Sequence, residues 1–331
     1  MKNLIPITLA ATLVASGISS AQTPAYSKPS GYVTQTLGVG FNLVGLTLQN
    51  PPAFTGVITS ISGANITFGS SLSTALPAGK MFVLEVTAGS GQSANVVQEF
   101  NTVSGSSITL PTAITDLVQG NTVSIRIAPT LEELFGTLLQ SQATAGGSDI
   151  VWIPAGAGQY DRYYYKTPFF GAPIWTKIGN GSSESAAPNT PVVFLDGVFV
   201  QIKTSPKSLT LAGTVKTTPS KFGVATGFNL IGTNFPVGST LKNSGFEAFL
   251  QSQATAGGSD IIWISQTAGS FSRYYYKTPF FGAASWVLIN GNTETSVGDG
   301  STINLSSGIF VQRKGSARTV TLVPPSSYSS L

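Results

Sequence analysis

The chain has 331 residues, no cysteine and no histidine, and only 9% of its residues are charged, with a net charge of +4. A charged fraction of about 25% is usual, and a hydrophobic share of 41% with 10% aromatics excludes a disordered chain. The two missing residue types exclude disulfides, a Ser-His-Asp triad, a cysteine nucleophile and the usual zinc sites. The composition is typical of a hydroxyl-rich β protein found outside cells.

The basic residues are scattered along the chain and form no cluster. A nucleic-acid-binding protein would carry such a cluster on one face. We therefore predict no nucleic-acid partner. No cofactor is predicted either.

The first 21 residues have the pattern of a secretory signal peptide. Lys2 precedes an apolar run over residues 4–18, and Ser19-Ser20-Ala21 supplies a small-x-small cleavage site. The run is shorter than the roughly 20 residues of a spanning helix, and no later stretch is longer. The sequence predicts a secreted or cell-surface protein with a bacterial-type signal peptide and no transmembrane segment.

Two segments of the chain occur twice. Residues 140–149 return letter for letter as 251–260, and residues 162–172 return as 273–283, both at an offset of 111 residues. A fixed offset indicates repeated structural units. We predict a first module over residues 22–213, a linker over 214–220, a second module over 221–323 and a flexible tail over 324–331.

A third repeat marks an insertion. Residues 40–45 return as 227–232, at an offset of 187 that exceeds the first offset by 76 residues. The extra residues fall at about 46–129, where short alternating segments separated by glycine turns predict a small β-barrel-like subdomain. Apolar spacing over residues 131–139 predicts a helix with a Thr130–Glu133 capping box, matched by a helix over 246–250.

The remaining segments alternate like strands, so the predicted fold is mainly β: two tandem sandwich-like modules with one short helix each. The order of landmarks resembles a largely uncharacterised module of secreted bacterial proteins, and the resemblance implies an extracellular, β-sandwich-like fold with no catalytic motif. The landmarks are Gly40-Phe-Asn-Leu, Leu134-Phe135, Trp152, Tyr163 to Tyr165, Trp175, Gly197-Val-Phe-Val200 and Leu209 to Gly213. Their second copies begin at Gly227-Phe-Asn-Leu and lack the closing glycine.

The triple tyrosine of each module is the candidate binding surface. Neighbours on a strand point to opposite faces, so Arg162 and Tyr164 share one face. Only one face of a two-layer sandwich lies in its core, which predicts a displayed aromatic strand, followed directly by Phe169-Phe170. The alternative, which the general preference of aromatic residues for cores favours, is that the helix or the insertion covers that face. Trp152 is expected in the core and Trp175 near the surface. The candidate binding residues are Arg162, Tyr164, Trp175, Arg273, Tyr275 and Trp286.

Carboxylates offer little catalytic chemistry. Asp149 and Asp161 could meet in space, but Asp161 becomes Ser272 in the second copy, so a glycosidase pair is disfavoured. Asp149 and Asp260 each end a Gly-Gly-Ser-Asp turn. A calcium or sugar contact is one interpretation, and a turn carboxylate bonded to backbone N–H groups is the favoured one.

These observations predict a secreted, non-catalytic structural or surface protein that associates with itself. The alternative is a carbohydrate-binding or adhesive module that contacts a cell-surface polysaccharide. An outer-membrane barrel is disfavoured, because the strands lack clean lipid-facing alternation in segments of about 10 residues.

Overall fold

The computed structural model describes residues 29–156, 158–181 and 183–331, so the predicted signal peptide lies outside the described residues. The first module opens with β1 (Ser30–Leu37), β2 (Gly40–Gly45) and β3 (Leu48–Gln49). The inserted segment supplies β4 (Phe54–Ser62), β5 (Asn65–Phe68), β6 (Phe82–Ala88), β7 (Val97–Phe100), β8 (Thr102–Ser104), β9 (Ser107–Thr109) and β10 (Thr122–Ile127).

The first module then resumes with α1 (Leu131–Phe135), β11 (Ile150–Gly156), β12 (Gln159–Lys166), β13 (Ile174–Ile178), β14 (Glu184–Ala186), β15 (Gly197–Ile202) and β16 (Lys207–Val215). The second module contains β17 (Ser220–Val224), β18 (Gly227–Gly232), α2 (Phe246–Phe249), β19 (Ile261–Thr267), β20 (Ser270–Lys277), β21 (Ser285–Asn290), β22 (Thr293–Ser296), β23 (Gly308–Arg313) and β24 (Arg318–Leu322).

The first module is a sandwich of two antiparallel sheets. A six-stranded sheet of order β14-β13-β12-β11-β15-β2 lies against the three-stranded sheet β1-β16-β3. Between them is a core that includes Leu37, Val151, Val200 and Leu209, closed at one side by Phe135 of α1. The inward residues alternate with outward ones along each strand, as sandwich packing requires. The predicted all-β, sandwich-like fold is confirmed.

The second module repeats this plan. Its six-stranded sheet has the order β18-β23-β19-β20-β21-β22, and β17 pairs with β24 as β1 pairs with β16. The strands β12 and β20 are related by the 111-residue offset. Each module has its own buried cluster, with Phe246, Ile262 and Trp286 in the second.

The helix α1 has the predicted N-terminus but is shorter than the pattern suggests. The Glu133 N–H donates to Thr130 Oγ1 at 3.3 Å, and Glu133 Oε2 accepts from the Thr130 N–H at 2.7 Å. The helix ends at Phe135 instead of Leu139, because Gly136 has a φ of 46° that cannot continue a right-handed helix.

The inserted segment forms a lobe with its own sheet and core. The strand order is β7-β6-β10-β4-β5-β9-β8, and no pairing among the described residues joins β7 to β8. The ladder of hydrogen bonds is therefore open between the two edge strands. Only Asn101 separates β7 from β8 in the chain, so the sheet curls back on itself in the barrel-like way that was predicted. One face buries Ile58, Phe82 and Ile125 within the lobe. On the other face, Val83 and Val97 join the core of the first module.

The two modules pack against each other about an approximate twofold axis. Phe199 and Phe310 are equivalent by the 111-residue offset, and their ring centroids lie 6.1 Å apart. Gly45 and Gly232 are equivalent by the 187-residue offset, and a Cβ on Gly45 would lie 2.9 Å from the Cα of Gly232. Contact between equivalent residues characterises an isologous interface. The chain therefore contains an internal pseudo-dimer.

The tail does not match the prediction of a flexible segment. Residues Ser326–Ser330 form a short 3-10 helix, and Tyr328 is buried in the core of the second module. The Tyr328 hydroxyl donates to Val237 O at 3.0 Å and accepts from the Val237 N–H at 3.1 Å. An aromatic ring and two hydrogen bonds hold the C-terminus in place.

Candidate functional site

The two segments that are identical between modules lie side by side in the structure. The Thr167 N–H donates to Gln142 O at 3.0 Å, and Thr167 Oγ1 donates to Ser141 Oγ at 2.8 Å. The second module repeats both contacts through Thr278, at 3.1 Å to Gln253 O and 2.9 Å to Ser252 Oγ. The loop of residues 140–149 thus supports the end of the tyrosine strand, and the repeated sequence maintains one continuous surface.

Asp149 and Asp260 organise these loops. Asp149 is fully buried and accepts hydrogen bonds from the N–H groups of Gln140 and Lys203, both at 2.7 Å. Asp260 does the same with Gln251 and Lys314, and also pairs with the Arg313 guanidinium at 2.5 Å. The turn-carboxylate interpretation is confirmed. A carboxylate already committed to backbone donors is a poor calcium ligand or sugar acceptor.

The tyrosines predicted to be displayed are buried. Tyr164 and Tyr275 are both 0% exposed. Their hydroxyls donate to Glu184 at 2.8 Å and to Glu294 at 2.6 Å, on the neighbouring edge strands β14 and β22. Burial, followed by the hydrogen bond to the carboxylate, raises the pKa of each phenol. The prediction of an exposed tyrosine was wrong for these two residues.

The outward face of the six-stranded sheet, which points away from the core of the sandwich, is covered by a further layer. Phe199, on the same face as Arg162 and Trp152, contacts Phe310 and Phe271 of the second module. The second module is therefore one layer that covers this face around Phe199. Near Tyr275, the pKa of Glu294 is lowered by the hydrogen bond from Tyr275 first, and the backbone N–H of Ala256 in the repeated loop makes a smaller contribution.

The burial of the tryptophans is the opposite of what the sequence predicted. Trp175 and Trp286, expected near the surface, are 1% and 0% exposed and belong to the two module cores. Trp175 packs against Phe135 of α1 with ring centroids 6.2 Å apart. Trp152, expected in the core, is only half-buried. Alternation along each strand sets these outcomes, since Trp175 shares the inward face with Tyr165, its partner on β12.

Arg162 and Arg273 are half-buried and act within the chain. Each guanidinium carbon lies 5.5 Å from the ring centroid of a cross-strand tryptophan, Trp152 for Arg162 and Trp263 for Arg273. This distance is within the range of a cation–π contact. Both tryptophans also contact the phenylalanines of the inter-module face. The two arginines therefore border that interface.

Among the described residues, the large apolar side chains that are exposed in both modules belong to two pairs of phenylalanines. Phe169 and Phe170 are 89% and 94% exposed, and Phe280 and Phe281 are 91% and 95% exposed. Each pair stands in a Thr-Pro-Phe-Phe-Gly-Ala turn after the tyrosine strand, and we call these turns the first and second Phe tips (residues 167–172 and 278–283).

The sequence contained a signal for the Phe tips that strand alternation did not capture. A pair of phenylalanines between a proline and a glycine interrupts a strand pattern and lies in a turn. The glycines that follow, Gly171 and Gly282, have φ values of 103° and 98°, which favour glycine. Adjacent side chains in a tight turn cannot both reach a core, and here neither does.

The described residues hold little else that resembles a reactive centre. Asp161 binds Lys177 at 2.6 Å, whereas Asp149 accepts from the N–H groups of Gln140 and Lys203. Within the described ranges, no group of three or more acidic side chains is arranged to hold a metal ion.

Glu99 and Asp196 share a small cavity of 220 Å³ between the lobe and the two modules. Burial, with a smaller contribution from Glu99, raises the pKa of Asp196 to about 7.

Comparisons of the chain with family models, with curated proteins and with solved structures found no match. Among the residues that the structure describes, no helix combines the length and the apolar character needed to cross a bilayer.

Proposed function

We propose that the chain is a secreted, non-catalytic structural or cell-surface protein that associates with itself through its two Phe tips. The observation that carries this proposal is the near-complete exposure of four phenylalanines in two identical turns. Large apolar side chains grouped on a surface are typical of contact sites. The resemblance to secreted β modules and the predicted signal peptide support the location.

The internal pseudo-dimer restricts where association can occur. The face that carries Arg162, Trp152 and Phe199 is occupied by the second module. Among the described residues, the large apolar side chains that are exposed in both modules are those of the Phe tips. Two copies of one self-association site make each chain bivalent. A contact between such sites that does not close into a ring extends into a filament.

The energetics favour an assembly that depends on concentration. Fully burying one phenylalanine contributes about 1.5–3 kcal/mol, so a contact between two tips, which buries four rings, gains roughly 6–12 kcal/mol. Association costs about 4–15 kcal/mol in lost freedom and ordering. A single tip contact is therefore weak. The low charge of the chain reduces the repulsion that would oppose such contacts.

Light scattering tests the proposal with a variant in which all four phenylalanines, Phe169, Phe170, Phe280 and Phe281, are changed to serine. We expect the wild type to gain mass with concentration and the variant to remain monomeric. Tyr32→Ser is the matched control, because Tyr32 is 76% exposed but lies outside the tips. Assembly that is equal in the variant and the wild type would reject the Phe tips as the contact.

The alternative, a polysaccharide-binding or adhesive protein, loses the buried Tyr164, Tyr275, Trp175 and Trp286 as ligand contacts. It would rest on the exposed phenylalanine rings, which can stack on sugar faces. A wild type that remains monomeric and is retained on an insoluble polysaccharide, with retention lost in the four-serine variant, would favour this alternative.

A further inference from the structure

A cavity of 410 Å³ lies in the seam between the lobe and the first module, and we call it the seam cavity. Ligand sites usually have volumes of about 300–1,000 Å³. The lining is mainly apolar and includes Leu46, Leu48, Leu134, Phe194 and Leu211. It joins strands β3, β10 and β16 to helix α1. The second module has no lobe, and therefore no equivalent seam.

Arg126 is the cation that lines the seam cavity. The other polar side chains of the lining are those of Gln49, Asn50, Glu133 and Thr210, and the Glu133 carboxylate accepts a hydrogen bond from the Thr130 N–H at 2.7 Å. Arg126 is only 6% exposed and lines the cavity from β10. A guanidinium has five N–H donors, but its hydrogen bond among the described residues is from Nη1 to Glu85 Oε2, at 2.7 Å. The Arg126 Nε is enclosed without a partner in that part of the chain. A buried donor left unsatisfied costs about 1–3 kcal/mol.

The partner of Arg126 is shared with other donors. Glu85 also pairs with Lys216 of the linker and accepts a hydrogen bond from Thr218 Oγ1 at 2.9 Å. Two cations thus bind one carboxylate, and they lower the pKa of Glu85 against the opposing effect of burial. Because Glu85 has these other partners, an additional acceptor at Arg126 would not leave it unpaired.

We propose that the seam cavity binds a small amphiphile with an apolar chain and a carboxylate head group. The chain lies against the leucines and Phe194, and the carboxylate accepts hydrogen bonds from Arg126. Charge-assisted hydrogen bonds to a carboxylate are about twice as strong as neutral ones. A cationic head group would face the Arg126 guanidinium unfavourably, and a sugar would leave most of its hydroxyls against apolar walls. This site is independent of the Phe tips.

Titration calorimetry with decanoate, decanol and decyltrimethylammonium, each below its micelle concentration, tests the site on the full mature chain. We expect one decanoate per chain, bound at least about tenfold more tightly than decanol, in line with the stronger charged hydrogen bond. No measurable decanoate binding would overturn the proposal, and so would equal or tighter binding of the ammonium compound.

Two variants locate the binding. Leu134→Trp fills the cavity from α1 without touching the ion pairs, and it should weaken decanoate binding at least tenfold. Val118→Trp adds the same side chain at an exposed position of the lobe and should leave binding unchanged. Arg126→Met should abolish the preference for decanoate over decanol. Wild-type affinity in Leu134→Trp would place the ligand elsewhere and contradict the proposal, even if Arg126→Met did not fold.

Discussion

Phe199 and Phe310 hold the same position in the two modules and contact each other, with ring centroids 6.1 Å apart. Phe310 also contacts Phe228 and Trp263, and Phe199 contacts Phe41. The tandem repeat therefore uses one aromatic face twice, once from each side of an approximate twofold axis. The face that a single module would expose becomes interior in the duplicated chain.

This relationship predicts energetic coupling between the two phenylalanines. Each change to alanine should destabilise the chain by about 2–4 kcal/mol, since both rings are half-buried and a fully buried one costs about 3–5. The double variant should deviate from additivity by about 0.5–3 kcal/mol, as expected for residues in contact. Urea unfolding of the four proteins measures this cycle. Strict additivity would indicate that the two modules do not pack through these rings.

The core tryptophans differ in one hydrogen bond, which predicts different responses to phenylalanine. Trp286 Nε1 donates to Glu247 at 2.8 Å, whereas Trp175 Nε1 is buried without a partner among the described residues. The position equivalent to Glu247 is Gly136. Trp286→Phe should cost about 1 kcal/mol more than Trp175→Phe, the net value of a hydrogen bond to a half-exposed carboxylate. Equal losses in urea unfolding would contradict the assigned bond.

Asp196 predicts a specific pH dependence of stability. Its pKa in the folded chain is raised from 3.8 to about 7, by burial first and then by Glu99. The protonated form is therefore favoured in the folded state, and this contribution falls as the pH rises from about 4 to about 7. The loss is about 4 kcal/mol at most, at 1.36 kcal/mol for each pKa unit.

Asp196→Asn isolates that effect from the contributions of carboxyls whose pKa shifts have the opposite sign. The pKa of Glu85, for example, is lowered. The difference in unfolding free energy between variant and wild type should increase between pH 4 and pH 8, in favour of the variant. A difference that does not change with pH would show that the Asp196 pKa is not raised. Glu99→Gln should reduce the slope without abolishing it.

Much of the fold follows from the sequence, because repeats and alternation are local signals. The constant offset indicates that Tyr164 and Tyr275 lie on equivalent strands, and the capping residues indicate where α1 begins. Alternation also separates Tyr164 from Tyr163 and Tyr165. It does not reveal which face another layer covers, since that depends on how distant segments pack.

The exposure of the candidate binding residues was predicted wrongly, mainly because sequence alternation does not show how layers pack. Whether Arg162 and Tyr164 are exposed depends on how distant segments pack over the outward face, which strand periodicity does not contain. Trp175, in contrast, lies on the inward face with Tyr165, so alternation does account for its burial. The close approach at Gly45 and Gly232 is invisible locally, since both glycines end ordinary strands. The Phe tips were visible as paired aromatics in a turn, but their exposure became evident only once the neighbouring loops were placed.

The central claim is that two equivalent Phe tips make the chain bivalent, and sedimentation velocity of one-tip variants tests it most directly. Removing one tip, by Phe169→Ser with Phe170→Ser or by Phe280→Ser with Phe281→Ser, should limit assembly to dimers joined by the remaining tip. The two variants should behave alike, while the wild type grows beyond dimers as concentration rises. Unchanged large assemblies in either one-tip variant, or a wild type that remains monomeric at the highest concentration, would contradict the account.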